Sequence, residues 1–289
     1  MIESNTGLNN RFNITQIIKL IFKRIRPALG LVVGPILMYS FLTEFDYVSI
    51  LIALSLGVVY VFGDLYNDFW DFDDDKKNYR KEKLTVSGFV SKDKIKFFAY
   101  LILLTGVIIA TFTNLFLLFY ILIHSIVLVS YSHSKIRLKK LDLTGYFITS
   151  TPFLLIPFTI DFVLKQPFSQ TSFLFAGFMF FQYFYILTQK DSTDLKDETN
   201  LFLKKKWKTA SNICTINAFL ASIFLLIISI KSVFFLLICG LNIVIKILNI
   251  KLIKEKKITR KTRNKIVGLE FLTPFLYLLR VFLWEDRHT

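Results

Sequence analysis

Long apolar runs recur along this sequence of 289 residues, and they restrict its fold more than any other feature. Of the residues, 54% are hydrophobic and 32 are phenylalanine, and the mean hydropathy is +0.53. A run of about 17–25 apolar residues is long enough for an α-helix to cross the hydrocarbon core of a bilayer. We find nine such runs, roughly at 28–44, 47–66, 96–112, 113–131, 143–162, 171–189, 211–230, 232–250 and 266–284. The sequence therefore predicts an all-α integral membrane protein, with about nine transmembrane helices in a single bundle.

The residues before the first run, 1–26, have a different pattern. One helical face carries six apolar side chains: Ile14, Ile17, Ile18, Ile21, Phe22 and Ile25. The basic side chains lie largely off this face, which is typical of a helix lying in the membrane interface. The loops between the later runs are short, so we expect residues 1–289 to form a single membrane-embedded domain.

Basic residues are concentrated in five segments of the chain. The N-terminal segment holds 5 Lys and Arg, and the segments after spans two, four and six hold 8, 4 and 6. A further nine lie between Lys246 and Lys265, which we count with the segment after span eight. If nine spans alternate in direction, all five segments share one face, which the positive-inside rule identifies as the cytoplasm. The net charge of +15 is then explained by topology and by the bilayer, without nucleic acid as a partner.

An acidic stretch, "NDFWDFDDDKKN" at 67–78, follows directly on the second apolar run. Four carboxylates, Asp64, Asp68, Asp71 and Asp75, are spaced by four, three and four residues, which places them on one stripe of a helix. Like charges at this spacing repel each other unless a cation neutralises them. Asp73 and Asp74 lie off the stripe, and we expect them to be solvated.

The same spacing returns after the sixth run, in "QKDSTDLKDETN". The three acids Asp191, Asp194 and Glu198 repeat the offsets of three and four, with Asp197 as an additional acid. Both clusters end spans that run in the same direction, so we expect them at the same mouth, within two pseudo-repeated halves. Carboxylates alone select hard cations, and Mg²⁺ is usually held by a few carboxylates together with substrate phosphates. The paired clusters therefore predict a magnesium site that bridges to a diphosphate.

Four segments resemble motifs of the UbiA superfamily of intramembrane prenyltransferases. "NDFWDFDDD" is similar to the family's NDxxDxxxD motif, and "DSTDLKDE" resembles its second aspartate motif. "EKLTVSG" (82–88) resembles the "RPLPSG"-type segment, although Lys83 replaces the arginine and both prolines are missing. "YSHSKIRLKK" (131–140) resembles the "YSxPPLKLK"-type segment after span four. The resemblance covers nearly the whole chain, with the motifs in the family's order.

The resemblance implies Mg²⁺-dependent transfer of a polyprenyl group from its diphosphate to an aromatic or other lipophilic acceptor, in quinone or membrane-lipid synthesis. It implies a first metal site at Asp68, Asp71 and Asp75, with Asn67 beside the diphosphate. The second site is expected at Asp191 and Asp194, assisted by Asp197 or Glu198. The basic residues of the two other resembling segments are expected to bind the diphosphate: Lys83, Arg137 and Lys139. Tyr131 is a catalytic candidate from its place in the motif. No obligate protein partner is inferred.

Other functions compete with this one. A phosphosugar or a glycerol-phosphate ether is an alternative reactant within the family. A scaffold without catalysis and a cation transporter are alternatives from other classes. A transport path places ionisable residues deep within the spans, whereas here the acids cluster at one mouth. The DGxxAR opening of phosphatidyl-alcohol transferases is absent from the sequence.

Overall fold

The structure is a computed structural model. It describes residues 27–43, 45–77, 91–194, 201–229 and 233–257, and single positions at Ile18, Phe22, Ile25, Thr259, Thr262, Lys265, Ile266, Leu269 and Leu276.

Eight helices follow one another along the described chain, and no strand occurs in these residues. Their bounds are α1 Leu29–Leu42, α2 Tyr47–Lys77, α3 Lys92–Thr113, α4 Leu115–Ser132, α5 Asp142–Val163, α6 Gln170–Asp194, α7 Leu201–Ser229 and α8 Val233–Lys254. The first five residues of α1 are π-helical. A short 3₁₀ turn, Leu138–Lys140, lies between α4 and α5.

Predicted spans one to eight coincide with α1–α8. Seven of the helices, α2–α8, are long and apolar enough to cross a membrane, and α1 is a shorter apolar helix. These numbers refer only to the part of the chain that the structure describes, and the predicted ninth span, 266–284, lies almost entirely outside it. The all-helical membrane architecture is therefore confirmed, whereas the count of nine remains a prediction.

The bundle contains two similar helix pairs, one in each half of the chain. The most extensive contacts join α2 to α3 in the first half and α6 to α7 in the second. A glycine allows the close approach in each pair. A Cβ on Gly106 of α3 would lie 3.3 Å from the Ser55 carbonyl oxygen on α2, and one on Gly177 of α6 would lie 2.6 Å from the Phe224 ring on α7. This arrangement agrees with the predicted pseudo-repeat.

A closed polar cluster ties three helices together near one end of the bundle. The Tyr39 hydroxyl of α1 donates to Asp161 Oδ1 of α5 at 2.5 Å, and Ser172 Oγ of α6 donates to Asp161 Oδ2 at 2.6 Å. All three side chains are buried, and Asp161 is 1% exposed. Because both carboxylate oxygens accept hydrogen bonds, this acid is stably held in an apolar surrounding.

The position of Lys246 corrects one part of the charge analysis. This lysine was counted with the basic segment after span eight, but it lies inside α8 and is 1% exposed. Its Nζ atom lies 5.8 Å from the centre of the Tyr185 ring, beside the buried amide of Asn249. The assignment was wrong because the Tyr185 ring on another helix accommodates a lysine within a span, and a charge count along the chain does not detect such a contact.

Candidate functional site

Helix α2 continues well beyond its apolar run, and its last turns carry the first acidic motif. Asn67 and Asp68 are buried, with Asp68 only 3% exposed, and the Asp71 side chain is 14% exposed. Asp73, by contrast, is 67% exposed and pairs with Lys92 at 2.8 Å on the surface. The helix therefore turns its motif side chains inward and its off-stripe acid outward, as the spacing predicts.

The segment between α4 and α5 folds back over this end of α2. Arg137 adopts a left-handed conformation with φ of 45°, and the 3₁₀ turn of Leu138–Lys140 follows directly. The turn rests on Gly145, where a Cβ would stand only 2.0 Å from the Leu138 carbonyl oxygen. A glycine is required at this close approach, and it fixes where Arg137 and Lys139 lie.

These two basic residues meet the acidic motif. The Lys139 ammonium forms an ion pair with Asp71 Oδ1 and lies 3.5 Å from Asn67 Oδ1. An Nη2 atom of Arg137 lies 3.7 Å from the same Asp71 oxygen. Ser132 Oγ, at the end of α4, donates to Asn67 Oδ1 at 2.9 Å. Residues predicted from two separate motifs therefore contact each other at one end of the bundle.

Burial lowers the pKa of the Lys139 ammonium. The negative charge and hydrogen bond of Asp71 oppose this effect, and the positive charges of Lys190 and Arg137 add to it. The three cations thus lie close enough to influence one another. A concentration of positive charge beside the Asn67 amide is suited to hold an additional anion.

Directly below this mouth is a cavity of about 100 Å³. It is lined by Tyr60, Gly63, Asp64, Asn67, Leu128, Tyr131, Thr149, Tyr183, Ile186, Leu187 and Lys190, which belong to α2, α4, α5 and α6. The Tyr183 ring stacks on Phe153 with 3.6 Å between ring centres, and it meets the Tyr60 ring edge-on at 6.4 Å. The cavity thus has a polar, charged mouth and aromatic walls.

The two long walls of the cavity are related by the internal repeat. The acidic motifs are offset by 123 residues, from Asp68 to Asp191, and α2 and α6 begin with the same offset. The cavity-lining residues pair at this offset as Tyr60 with Tyr183, Gly63 with Ile186, Asp64 with Leu187 and Asn67 with Lys190. The repeat therefore extends from the motifs into the walls, although three of the four pairs differ in chemistry.

Comparison with known proteins decides the family. The model of the UbiA prenyltransferase family matches residues 29–274, which is most of the chain. The protein belongs to the UbiA prenyltransferase family. No curated protein matches the chain.

Solved UbiA structures share the fold of this family member at low identity. A UbiA homologue from Archaeoglobus fulgidus bound to GPP and Mg²⁺ has a TM-score of 0.64 and 13% identity, covering 93% of this chain and 98% of that one. The apo structure of a UbiA homologue from Aeropyrum pernix K1 has a TM-score of 0.59 and 15% identity, covering 92% and 98%. A structure concerning digeranylgeranylglyceryl phosphate synthase has a TM-score of 0.54 and 19% identity, covering 91% and 97%.

The structure brings together half of the predicted site residues of this UbiA protein. It places Asn67, Asp68, Asp71, Tyr131, Arg137 and Lys139 around the mouth and the cavity. The backbones of Asp75, Asp191 and Asp194 lie in the last turns of α2 and α6, but their side chains are outside the description. Lys83, Asp197 and Glu198 lie outside the described residues altogether. The functional roles of all twelve remain predictions.

Both charged residues of the cavity lining were missing from the predicted site. Asp64 belongs to the acidic stripe but not to the resembling motif, and Lys190 precedes Asp191 directly. The 123-residue offset would have indicated Lys190, since it aligns this residue with Asn67. The same stripe that places Asp68 inward also places Asp64 inward, one helical turn deeper.

The donor set at the mouth is suited to Mg²⁺. Among the residues that the structure describes, no three His, Cys, Asp or Glu side chains form a metal-binding cluster. The described oxygen donors are Asn67, Asp68 and Asp71. Oxygen donors of this kind favour Mg²⁺, which retains positions for substrate phosphates. That Asp71 already pairs with two cationic side chains indicates a position where positive charge is stable.

Proposed function

We propose that this protein transfers a prenyl group from a prenyl diphosphate to a lipophilic acceptor, in a Mg²⁺-dependent reaction at the mouth of the bundle. The observation that carries the proposal is the cavity, whose charged mouth joins an aromatic interior. A prenyl diphosphate has the same division, with an anionic head and an apolar tail. The UbiA homologue bound to GPP and Mg²⁺ supports this assignment of donor and metal.

The side chains at the mouth are arranged to hold the head group. Lys139, Arg137 and Lys190 provide positive charge, and Asn67 is held in place by the hydrogen bond from Ser132. Cations directed at a departing diphosphate stabilise the charge that develops as the carbon–oxygen bond breaks. When bound between Asp68, Asp71 and the acids of α6, Mg²⁺ would add Lewis-acid neutralisation of the same leaving group.

The interior is arranged to receive the allylic carbon and its tail. Tyr60, Tyr131 and Tyr183 line the cavity, and ring faces attract a cation that has lost its water. The apolar side chains Leu128 and Leu187 complete the walls. Water that entered this space would hydrolyse the donor, so a narrow cavity also favours transfer over hydrolysis.

The test uses purified protein in lipid nanodiscs with prenyl diphosphates from geranyl upward. Acceptors are a phenol, a dihydroxynaphthalene and a glycerol ether phosphate, the last because of the structural similarity to a digeranylgeranylglyceryl phosphate synthase. We expect diphosphate release and a prenylated product with Mg²⁺, and neither with EDTA. Absence of release with every donor, together with cation flux in vesicles that Asp68→Asn abolishes, would support transport instead.

We propose further that the mouth faces the cytoplasm of a cell membrane, on the strength of the basic segments that share it. The two native cysteines, Cys214 and Cys239, are buried, so an introduced cysteine can be labelled selectively. Lys135→Cys, in the exposed segment after α4, is expected to react with a membrane-impermeant maleimide only in inside-out vesicles. Phe168→Cys, exposed at the opposite end, provides the reverse control. The opposite labelling pattern would place the mouth outside the cell.

A further inference from the structure

Asp64 is a carboxylate inside the cavity that neither the predicted metal sites nor the predicted diphosphate ligands include. It lines the cavity together with Tyr60, Tyr131 and Tyr183. Its counterpart across the 123-residue offset is Leu187, an apolar residue on the opposite wall. The carboxylate is therefore a feature of one wall only. The repeat, which conserves the outer acids in both halves, does not account for it.

The depth of Asp64 separates it from the metal-binding acids. It lies four residues before Asp68, and four helical residues correspond to a rise of about 6 Å. A diphosphate bound at Asp68 and Asp71 would place its attached carbon deeper in the cavity, on the side of Asp64. The Asp64 carboxylate would then be nearer to the level of the reacting carbon than to the level of the leaving group.

The groups that face this level set the electrostatic surroundings of Asp64. From α2 this group is Tyr60, from α4 Tyr131, and from α6 Tyr183 and Lys190; α5 contributes the uncharged Thr149. The buried acid Asp68 lies one helical turn nearer the mouth on α2. Lys190 is the one basic residue among the eleven that line the cavity. A carboxylate beside neutral hydroxyl groups is able to accept a proton from a substrate that enters between them.

We propose that Asp64 is the general base of the reaction and that the acceptor is an alcohol or a phenol whose O–H proton it removes. This inference rests on the proposed prenyl transfer. The donor's carbon–oxygen bond breaks and its electron pair leaves with the diphosphate. The acceptor's nucleophilic atom forms the new bond to the allylic carbon, and the acceptor proton passes to an Asp64 oxygen. A later transfer of that proton to water restores the carboxylate.

The experiment separates ionisation of the donor from capture by the acceptor. Geranyl diphosphate labelled with ¹⁸O at the bridging oxygen is incubated with Mg²⁺ and full-length protein in nanodiscs. Reversible ionisation moves the label to non-bridging positions without any acceptor. Product formation is then measured with the acceptor that the wild-type protein alkylates. We expect Asp64→Asn to keep label exchange within about threefold of wild type and to lose alkylation by about 100-fold or more.

The matched control is Asp73→Asn, which removes an exposed acid from the same helix and is expected to change neither reaction. A second readout compares phenols of decreasing pKa, because a more acidic acceptor depends less on a base. The ratio of wild-type to Asp64→Asn rates is expected to fall along this series. Asp64→Ala with added formate provides another check, since formate can replace a missing carboxylate and is expected to restore alkylation at least about tenfold.

Three results would overturn the inference. One is equal loss of label exchange and alkylation in Asp64→Asn, which would assign the residue to donor ionisation. The second is alkylation by Asp64→Asn within about threefold of the wild-type rate. The third is failure of formate to restore alkylation by an Asp64→Ala variant that still binds geranyl diphosphate. Absence of both label exchange and prenylated product in the wild-type protein with every donor and acceptor would instead overturn the proposed function, and this inference with it.

Discussion

The two ends of the bundle each hold a largely buried carboxylate, but in different surroundings. At the end away from the cavity, both oxygens of Asp161 accept hydrogen bonds, from Tyr39 and from Ser172. At the mouth, one oxygen of Asp71 is shared by the cations of Lys139 and Arg137, beside a cavity. The first arrangement is closed and neutral in its partners. The second pairs charged groups beside a cavity, where a ligand could contact them.

This difference separates polar groups that stabilise the bundle from polar groups that can bind a ligand. Fully satisfied polar networks stabilise one packing arrangement, because an alternative packing leaves buried groups without partners. An acidic side chain that pairs with a cationic side chain beside a cavity can instead bind a metal ion or a substrate. Substitutions at the two ends should therefore separate stability from activity.

The largest effect is expected for Asp68→Asn. The substitution removes a buried carboxylate from the predicted metal site, and we expect prenyl transfer to fall by about 1,000-fold. Thermal stability in the absence of donor is expected to change little. Initial rates with Mg²⁺ and a labelled donor measure the effect, and Asp73→Asn on the same helix is the control. A rate within about tenfold of wild type would show that Asp68 is not a metal ligand.

The next effect concerns Lys190 and its role across the cavity from Asn67. Lys190→Gln removes one positive charge that would face a bound diphosphate, and we expect the donor's dissociation constant to rise by about 10- to 100-fold. Binding of a non-hydrolysable geranyl diphosphate analogue provides the measurement. Lys165→Gln, at the opposite end, serves as the matched lysine control and should bind the analogue normally. Equal affinity in both variants would remove Lys190 from the site.

Tyr39→Phe tests the closed end. It deletes the hydroxyl that donates to Asp161, and we expect the free energy of unfolding to fall by about 1.5–3 kcal/mol without a change in transfer rate. Ser132→Ala, which removes a hydrogen bond of 2.9 Å to Asn67, is expected to lose less stability than Tyr39→Phe and more activity. Its stability should fall by about 0.5–1.5 kcal/mol, with a clear loss of activity. Thermal unfolding measures the loss of stability, and initial rates measure the loss of activity, in both variants. Parallel losses of stability and activity in the two variants would contradict the comparison.

The smallest effect is a pH dependence of stability at the mouth. Because burial lowers the pKa of Lys139, the folded protein without metal or donor releases this proton at a lower pH than the unfolded chain. The unfolded state then binds more protons, and stability rises with pH between the lowered pKa and the ordinary lysine value of 10.5. Thermal unfolding in EDTA is expected to show a smaller slope in Lys139→Met than in wild type across this window. Identical slopes would mean that the surroundings of Lys139 do not disfavour its charge.

The sequence predicts the helices well, because apolar length and lipid thickness are linked by simple geometry. It predicts the end of α2 less well. The apolar run stops near residue 66, whereas the helix continues through the acidic stripe to Lys77. Hydropathy indicates which residues contact lipid. It does not indicate where the helix ends, because the backbone forms a helix in lipid and in water alike. The inward direction of Asn67, Asp68 and Asp71 was predictable from their spacing.

Contacts between distant segments were less accessible from the sequence. Nothing in the spacing of Lys139 predicts that it pairs with Asp71, because this pair depends on a left-handed Arg137 and on the fold of the 3₁₀ turn. The burial of Lys246 depends in the same way on side chains from another helix. The position of Lys190 in the cavity lining could have been predicted, since the repeat aligns it with Asn67.

Gly145 has a consequence for how proteins of this fold can be recombined. The residue has no functional group, yet it alone leaves room for the carbonyl of Leu138. A chimera that imports the segment 133–141 from one homologue onto the α5 of another would keep every charged residue and still displace both cations if this position carried a side chain. The transferable unit is therefore the segment together with the first turn of α5, and exchange boundaries are best placed after Gly145.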